Sequence, residues 1–228
     1  MAFDYERDTR AHYQDDGVAE EYHSGFAGRL RWRALTHRVV AYFERRGINR
    51  LLRRVAPKSV LDLPCGTGKL AEVLVPTGAV IQAADVSSSM LKIARASYTR
   101  AGSSTVSFDV ADVTKLPSSW DGNFDLAVCL RLFHRVPDEV KEQGLVELGR
   151  VARFVLYSTG IETPYHRLRR HVRGLVFGGD VASLCFESLP DARSRAARLG
   201  RVIDETWTLP GLSQERLFLV ESSRWRPR

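Results

Sequence analysis

Short apolar runs alternate with stretches of helical periodicity over residues 58–158, in the middle of a chain of 228 residues. Each apolar run has the length of a buried strand, and several contain β-branched residues. The runs predict strands at residues 59–63, 79–85, 106–110, 125–130 and 154–158. The periodic stretches predict helices at residues 69–75, 88–100 and 137–150. Strands that alternate with helices form right-handed βαβ units, so the pattern predicts an α/β fold with a mostly parallel sheet.

The residues before this region follow a helical pattern alone. Apolar residues recur at helical spacing over residues 29–56, and arginines occupy the other faces. Gly47 is expected to break this helix into two pieces, and Pro57 is expected to end the second piece. We therefore predict an N-terminal helical cap or lid over residues 1–57.

The residues after the fifth predicted strand change character again. Residues 58–228 are predicted to form the core, with an insert at about 160–190. Two strand-like runs, at residues 202–208 and 216–221, are separated by a short turn. Strands so close in sequence favour an antiparallel pair, so we predict a C-terminal hairpin at the edge of the sheet.

Composition limits what the chain can do. Its 34 Lys and Arg residues exceed its 27 Asp and Glu residues, and the net charge of +7 permits an anionic partner. No apolar run approaches the ~18–20 residues that a membrane span needs. The charged N-terminus has no apolar leader segment, and Cys65, Cys129 and Cys185 form neither a zinc pattern nor a disulfide framework. We therefore predict a cytoplasmic protein without a membrane span and without a metal site.

A glycine-rich turn follows the first predicted strand, in the sequence LDLPCGTGKLA at residues 61–71. A strand, such a turn and a helix form a nucleotide-cofactor site at the carboxyl ends of a parallel sheet. A P-loop is excluded because Leu63 stands where its first glycine is required and Leu70 follows Lys69. A dinucleotide fingerprint is nominally met by Gly66, Gly68 and Ala71.

Asp62 argues against the dinucleotide. Its carboxylate directly precedes the turn, and a carboxylate there would repel a pyrophosphate at a cost of roughly a few kcal/mol. The same charge suits S-adenosylmethionine, which carries an ammonium and a sulfonium and has no phosphate. The glycines remain necessary because the backbone must approach the cofactor without a Cβ in the way.

Four segments, in this order along the chain, carry a resemblance to a known family: residues 61–68, 84–91, 109–117 and 124–137. They resemble the successive motifs of the class I S-adenosylmethionine-dependent methyltransferases, and the resemblance covers about residues 58–158. It implies a Rossmann-like, doubly wound sheet with S-adenosylmethionine as the cofactor. The sequence departs from the family pattern at Pro64, where glycine is usual.

The resemblance also implies which residues bind the cofactor. Asp85 is expected to bind the ribose hydroxyls, Asp112 the adenine amino group, and the backbone N–H of Val113 the adenine ring. The full set that we predict to contact the cofactor is Asp62, Pro64, Cys65, Gly66, Gly68, Asp85, Val86, Met90, Asp112, Val113 and Leu130.

Candidate acceptor residues follow the fourth strand and lie in the flanking regions. His134 is a candidate general base, although it could equally cap a helix or pack under the site. Arg131 is a candidate contact to substrate or cofactor. The basic run at residues 166–173 falls near the expected substrate mouth, which favours an anionic acceptor. The residues that we predict to bind the substrate are Tyr13, Tyr22, Phe133, Arg169 and Arg170.

The predicted reaction is methyl transfer from S-adenosylmethionine to an O, N or C nucleophile of a small, anionic molecule. The motif typical of adenine N6 methylation is absent, because Cys129-Leu130-Arg131-Leu132 stands in its place. Methylation of RNA or protein remains an alternative, and so does a protein that binds the cofactor without catalysis.

Overall fold

The computed structural model describes residues 31–103, 105–165, 167, 185–209 and 213–227. Its centre is a seven-stranded sheet whose strands have the spatial order β3-β2-β1-β4-β5-β7-β6. The strands are β1 Ser59–Asp62, β2 Val80–Asp85, β3 Val106–Val110, β4 Phe124–Cys129, β5 Ala152–Gly160, β6 Gly200–Trp207 and β7 Glu215–Ser222. The α-helices around the sheet include α1 Arg31–Val55, α2 Ala71–Leu74, α3 Ser88–Arg100, α4 Asp138–Val151 and α5 Leu189–Leu199.

The strand pairings confirm the predicted α/β fold. β1 to β5 run parallel, with β1 between β2 and β4. β7 pairs antiparallel with both β5 and β6, so the C-terminal hairpin closes this side of the sheet as predicted. The chain moves outward from β1 to β3 and then returns to place β4 on the other side of β1. The strand order therefore reverses between β1 and β4, and ligands of such folds bind outside the carboxyl ends of strands at this point.

Alternate residues of the strands pack into two different hydrophobic cores. Val60 and Leu156 belong to one core, while their neighbours Leu61 and Tyr157 belong to the other. Residues of α1, α2 and α3 complete the first core, and residues of α4 and α5 complete the second. This period of two is what a sheet covered by helices on both faces requires.

The expected break at Gly47 is wrong, because α1 continues through it from Arg31 to Val55. Ile48 and Leu51 beside it are fully buried, in the same core as the strands. Their burial outweighs the roughly 1 kcal/mol that a glycine costs inside a helix. The division of the chain into a cap at residues 1–57 and a core stays a prediction.

The predicted helix at residues 69–75 is also shorter in the structure. The glycine turn extends to residue 70, so only one helical turn, α2, is left before a 3-10 turn at Val75–Thr77. The prediction for the next helix is confirmed: Ser87 caps α3, and its Oγ accepts the Met90 N–H at 3.3 Å. None of the helices in these described ranges is long and apolar enough to cross a membrane.

Candidate functional site

A cleft opens at the carboxyl ends of β1, β2 and β4, at the point where the strand order reverses. The cleft and the open solvent at its mouth together occupy about 1010 Å³. Nine of the eleven residues predicted to bind the cofactor line it: Pro64, Cys65, Gly66, Asp85, Val86, Met90, Asp112, Val113 and Leu130. The structure thus brings together residues from four segments of the sequence.

The glycine turn is held to the sheet by backbone hydrogen bonds. The N–H of Leu63 donates to Val128 O at 2.9 Å, and that of Cys65 donates to Ala84 O at 2.8 Å. Gly66 has a φ of +53° and lines the cleft, and a Cβ there would meet nothing within 4 Å. The turn therefore leaves space for a ligand to approach its backbone.

Gly68 does not line the cleft, which differs from its predicted contact with the cofactor. Its φ is +74°, and a Cβ there would stand 2.9 Å from Ser97 Cβ and 3.1 Å from Ala94 Cα. This glycine lets the turn pack directly against α3.

Asp85 links the turn to the cleft. Its Oδ2 accepts the Gly66 N–H and its Oδ1 accepts the Ser87 N–H, each at 2.9 Å. Burial raises the pKa of Asp85, and these backbone hydrogen bonds oppose the increase. A carboxylate has about four acceptor positions, so Asp85 can still accept the hydroxyls of a ligand.

Asp112 lies across the cleft from the glycine turn, in a tight local turn of its own. Its Oδ1 accepts both the backbone N–H of Thr114 at 2.9 Å and the Thr114 hydroxyl at 2.8 Å. These bonds hold the loop that places Val113 in the cleft wall.

Asp62 does not line the cleft, and its predicted contact with the cofactor stays a prediction. The residue is fully buried, and its Oδ2 accepts the Tyr98 hydroxyl at 2.6 Å. Its Oδ1 has no hydrogen-bond partner among the described residues. Burial raises the pKa of Asp62 to about 7, the Tyr98 hydrogen bond opposes this, and the charge of Asp85 adds to it.

The other end of the cleft is lined by Leu132 and by three charged residues, Arg131, Arg135 and Glu44. Glu44 comes from α1, and its carboxylate receives two hydrogen bonds from Arg131: Nε to Oε1 at 3.1 Å, and Nη2 to Oε2. Glu44 was missed in the sequence because it lies in an arginine-rich helix, where a charged residue indicates only a solvated face.

His134 is poorly suited to the predicted role of general base. It does not line the cleft, and its Nε2 accepts the Nε–H of Arg135 at 3.2 Å. Burial, followed by the charges of Arg135, Arg131 and Lys141, lowers the pKa of His134 to about 4. An efficient base has a pKa near the working pH, so this ring is a weak one.

Phe133 belongs to the core and does not line the cleft, unlike its predicted place at the substrate. It is 1% exposed and packs edge-on against Tyr157 at 5.7 Å between ring centroids. Its neighbours are apolar because the 3-10 turn Phe133–Arg135 folds back onto β5.

Four predicted substrate residues lie outside the described residues: Tyr13, Tyr22, Arg169 and Arg170. Within the part of the chain that the structure describes, no group of three or more His, Cys, Asp and Glu residues is placed to hold a metal. Burial raises the pKa of Cys65 and of Cys129, so both are protonated thiols near neutral pH.

Comparison with known proteins points to one family. A model described as a methyltransferase domain matches residues 60–154. The ubiquinone biosynthesis O-methyltransferase of Thiobacillus denitrificans is 34% identical over 84 residues, which are 37% of this chain and 36% of that protein. The enzyme of the same description from Albidiferax ferrireducens is 26% identical over 187 residues, 74% of each chain. This chain therefore aligns with only about a third of the first relative's length.

A solved methyltransferase structure has the same fold. Magnesium protoporphyrin IX methyltransferase from Synechocystis PCC 6803, solved with bound SAH, superposes with a TM-score of 0.75 at 19% identity. The superposition covers 92% of this chain and 96% of that one. The methyltransferase-domain match spans the strands and turns that build the cleft, and their order agrees with the four sequence motifs. The domain at residues 60–154 is that of a class I S-adenosylmethionine-dependent methyltransferase.

Proposed function

We propose that this chain transfers a methyl group from S-adenosylmethionine to an oxygen atom of a small, anionic acceptor. One observation carries the proposal: Arg131 and Arg135 line one end of the cleft beside the apolar side chains of Leu130 and Leu132. Such a wall suits a molecule with an apolar body and a negatively charged group. The O-methyltransferases of ubiquinone biosynthesis among its relatives support oxygen as the nucleophile.

The cofactor is proposed to lie along the glycine turn. Gly66 would let it approach the backbone, Asp85 would accept its ribose hydroxyls, and Asp112 and Val113 would contact its adenine. The open space above Gly66 and the acceptor positions left on Asp85 support this placement. The cofactor supplies an electrophilic methyl group on a sulfonium.

The residues around the acceptor end favour an oxygen that is already ionised. His134 is a weak base with a pKa of about 4, and its Nε2 is engaged by Arg135. A carboxylic acid loses its proton without assistance at neutral pH. Arg131 and Arg135 would hold that charge in place, and the apolar wall would exclude water, so alignment would supply most of the rate.

A turnover screen with labelled S-adenosylmethionine tests this function. The acceptors are benzoate, hydroxybenzoates and straight-chain fatty acids, each paired with its neutral amide, together with an RNA fraction. We expect transfer to acids and none to the matched amides. Transfer only to amides, amines or RNA would refute the anionic acceptor, and binding of the cofactor without any transfer would favour a non-catalytic protein. The cytoplasmic location stays a prediction.

Kinetics of two arginine variants test whether the cleft wall attracts the anionic acceptor. Arg135→Ala should raise the KM of the acid about tenfold and lose that effect at high salt, because a charge contact to the substrate is removed. Arg153→Ala is the matched control, because Arg153 pairs with Glu221 at the opposite end of β5. Equal effects of the two variants would show that general charge, and not the cleft wall, governs binding.

A further inference from the structure

A single buried carboxylate connects α1 to the acceptor end of the cleft. Glu44 is 5% exposed, although Tyr42, Phe43 and Arg45 beside it on α1 are exposed. Both of its carboxylate oxygens accept hydrogen bonds from the guanidinium of Arg131. Two parallel hydrogen bonds fix the plane of a guanidinium as well as its position.

The backbone of Arg131 is fixed from the other side. Arg131 follows β4 with a φ of +63°, a left-handed conformation that residues other than glycine adopt infrequently. Its N–H donates to Ser158 Oγ, on β5, at 2.8 Å. A strained backbone persists where its surroundings hold it, and such residues concentrate at functional sites. Arg131 is therefore held by β5 at its backbone and by α1 at its side chain.

A second carboxyl group, that of the partly buried Glu215, lies close to this pair. Burial raises the pKa of Glu215 on β7, the charge of Glu44 adds to the increase, and Ser158, Arg131 and Arg135 oppose it. Arg131 thus stands near two carboxyl groups, of which Glu44 is the one that pairs with it. The Arg131 side chain is still 37% exposed, whereas that of Glu44 is 6% exposed. The Arg131 side chain is therefore exposed in the cleft wall, whereas the Glu44 side chain that pairs with it is buried.

We propose that Glu44 is a positioning residue for the acceptor: it holds the Arg131 side chain in the cleft wall so that the exposed part of this side chain orients the acceptor. This inference rests on the proposed function and adds a specificity element to it. Because Glu44 offsets the charge of Arg131, the pair supplies directed donors, and Arg135 supplies the attraction for an anion.

The competing explanation is that Glu44 only fastens α1 to the sheet. A second ion pair in the molecule separates the two explanations. Arg50, also on α1, donates from Nη2 to both carboxylate oxygens of Asp204 on β6, at 3.1 and 2.9 Å. This pair fastens the same helix to the same sheet, but neither residue lines the cleft. Asp204→Asn is therefore the matched control for Glu44→Gln.

The experiment measures steady-state kinetics on whichever acceptor the labelled-cofactor screen identifies, and calorimetry with S-adenosylhomocysteine. Glu44→Gln keeps the shape of the side chain but removes its charge and one acceptor oxygen. We expect it to raise the acceptor KM on the order of tenfold and to lower kcat as well, since the acceptor is bound more weakly and aligned less well, with the S-adenosylhomocysteine Kd changed less than about threefold. Asp204→Asn should leave all three values unchanged, and Glu44→Asp should recover part of the KM.

A double-mutant cycle tests whether Glu44 acts through Arg131. If it does, Glu44→Gln combined with Arg131→Gln should raise KM no more than Arg131→Gln alone. Additive effects, an unchanged KM in Glu44→Gln, or an equal loss in Asp204→Asn would each overturn the inference. So would a weakened S-adenosylhomocysteine Kd, because Arg131 would then serve the cofactor. Absence of turnover on every acceptor would refute the proposed function itself, and this inference with it.

Discussion

Replacing Gly68 by alanine should destabilise the fold, whereas the same change at Gly66 should mainly weaken cofactor binding. The two glycines share one turn and both have positive φ, +53° at Gly66 and +74° at Gly68. They differ in what a new Cβ would meet. At Gly68 it would stand 3.1 Å from Ala94 Cα, which is helix backbone, while at Gly66 nothing lies within 4 Å.

The magnitude follows from these contacts. A left-handed conformation costs an L-residue about 1–2 kcal/mol, and this cost applies to both variants. At Gly68 the methyl group must also push α3 away, because Ala94 Cα cannot move as a flexible side chain does, and such overpacking costs about 1–3 kcal/mol. We therefore expect Gly68→Ala to lower the free energy of unfolding by about 2–5 kcal/mol, and Gly66→Ala by about 1–2 kcal/mol.

Urea unfolding followed by circular dichroism measures the stability of each variant, and calorimetry measures its affinity for S-adenosylhomocysteine. We expect Gly66→Ala to remain folded and to bind at least about tenfold more weakly, because its methyl group enters the space left for the cofactor. The reasoning is refuted if the two variants lose the same stability, or if Gly66→Ala binds as tightly as the unaltered chain.

Two further predictions concern buried carboxylates. Unfolded Asp62 loses its proton near its ordinary pKa of 3.8 and folded Asp62 loses it near 7, so the unfolded state binds fewer protons in this interval. The free energy of unfolding should therefore fall as pH rises from about 4 to about 7. Urea unfolding at several pH values should show a smaller fall for Asp62→Asn. An equal fall in both proteins would contradict the raised pKa of Asp62. Asp85→Ala removes hydrogen-bond acceptors from the cleft, so calorimetry should show S-adenosylhomocysteine binding weakened by about 2–4 kcal/mol. Unchanged affinity would show that Asp85 does not bind the cofactor.

Local sequence patterns determined the strands and their direction. Each of the first five strands is a short apolar run, and the structure places both ends of each strand within two residues of the predicted bounds. The Ser87 cap and the C-terminal hairpin also depend on residues that are close together in the sequence, so they could be predicted from it. These features share one physical cause: backbone geometry imposes a period of two or 3.6 on residues close together in the chain.

The tertiary structure alone decided which side chains meet. Gly47 remains helical because its neighbours are buried against the sheet, and the turn that ends at Leu70 shortens the helix predicted at residues 69–75. Asp62 is fully buried, and its carboxylate accepts a hydrogen bond from Tyr98, 36 positions later in the sequence. Glu44 meets Arg131 across 87 positions of sequence. No local period carries such information, because a side chain's partner and burial depend on how distant elements pack, and only the folded sheet brings them together.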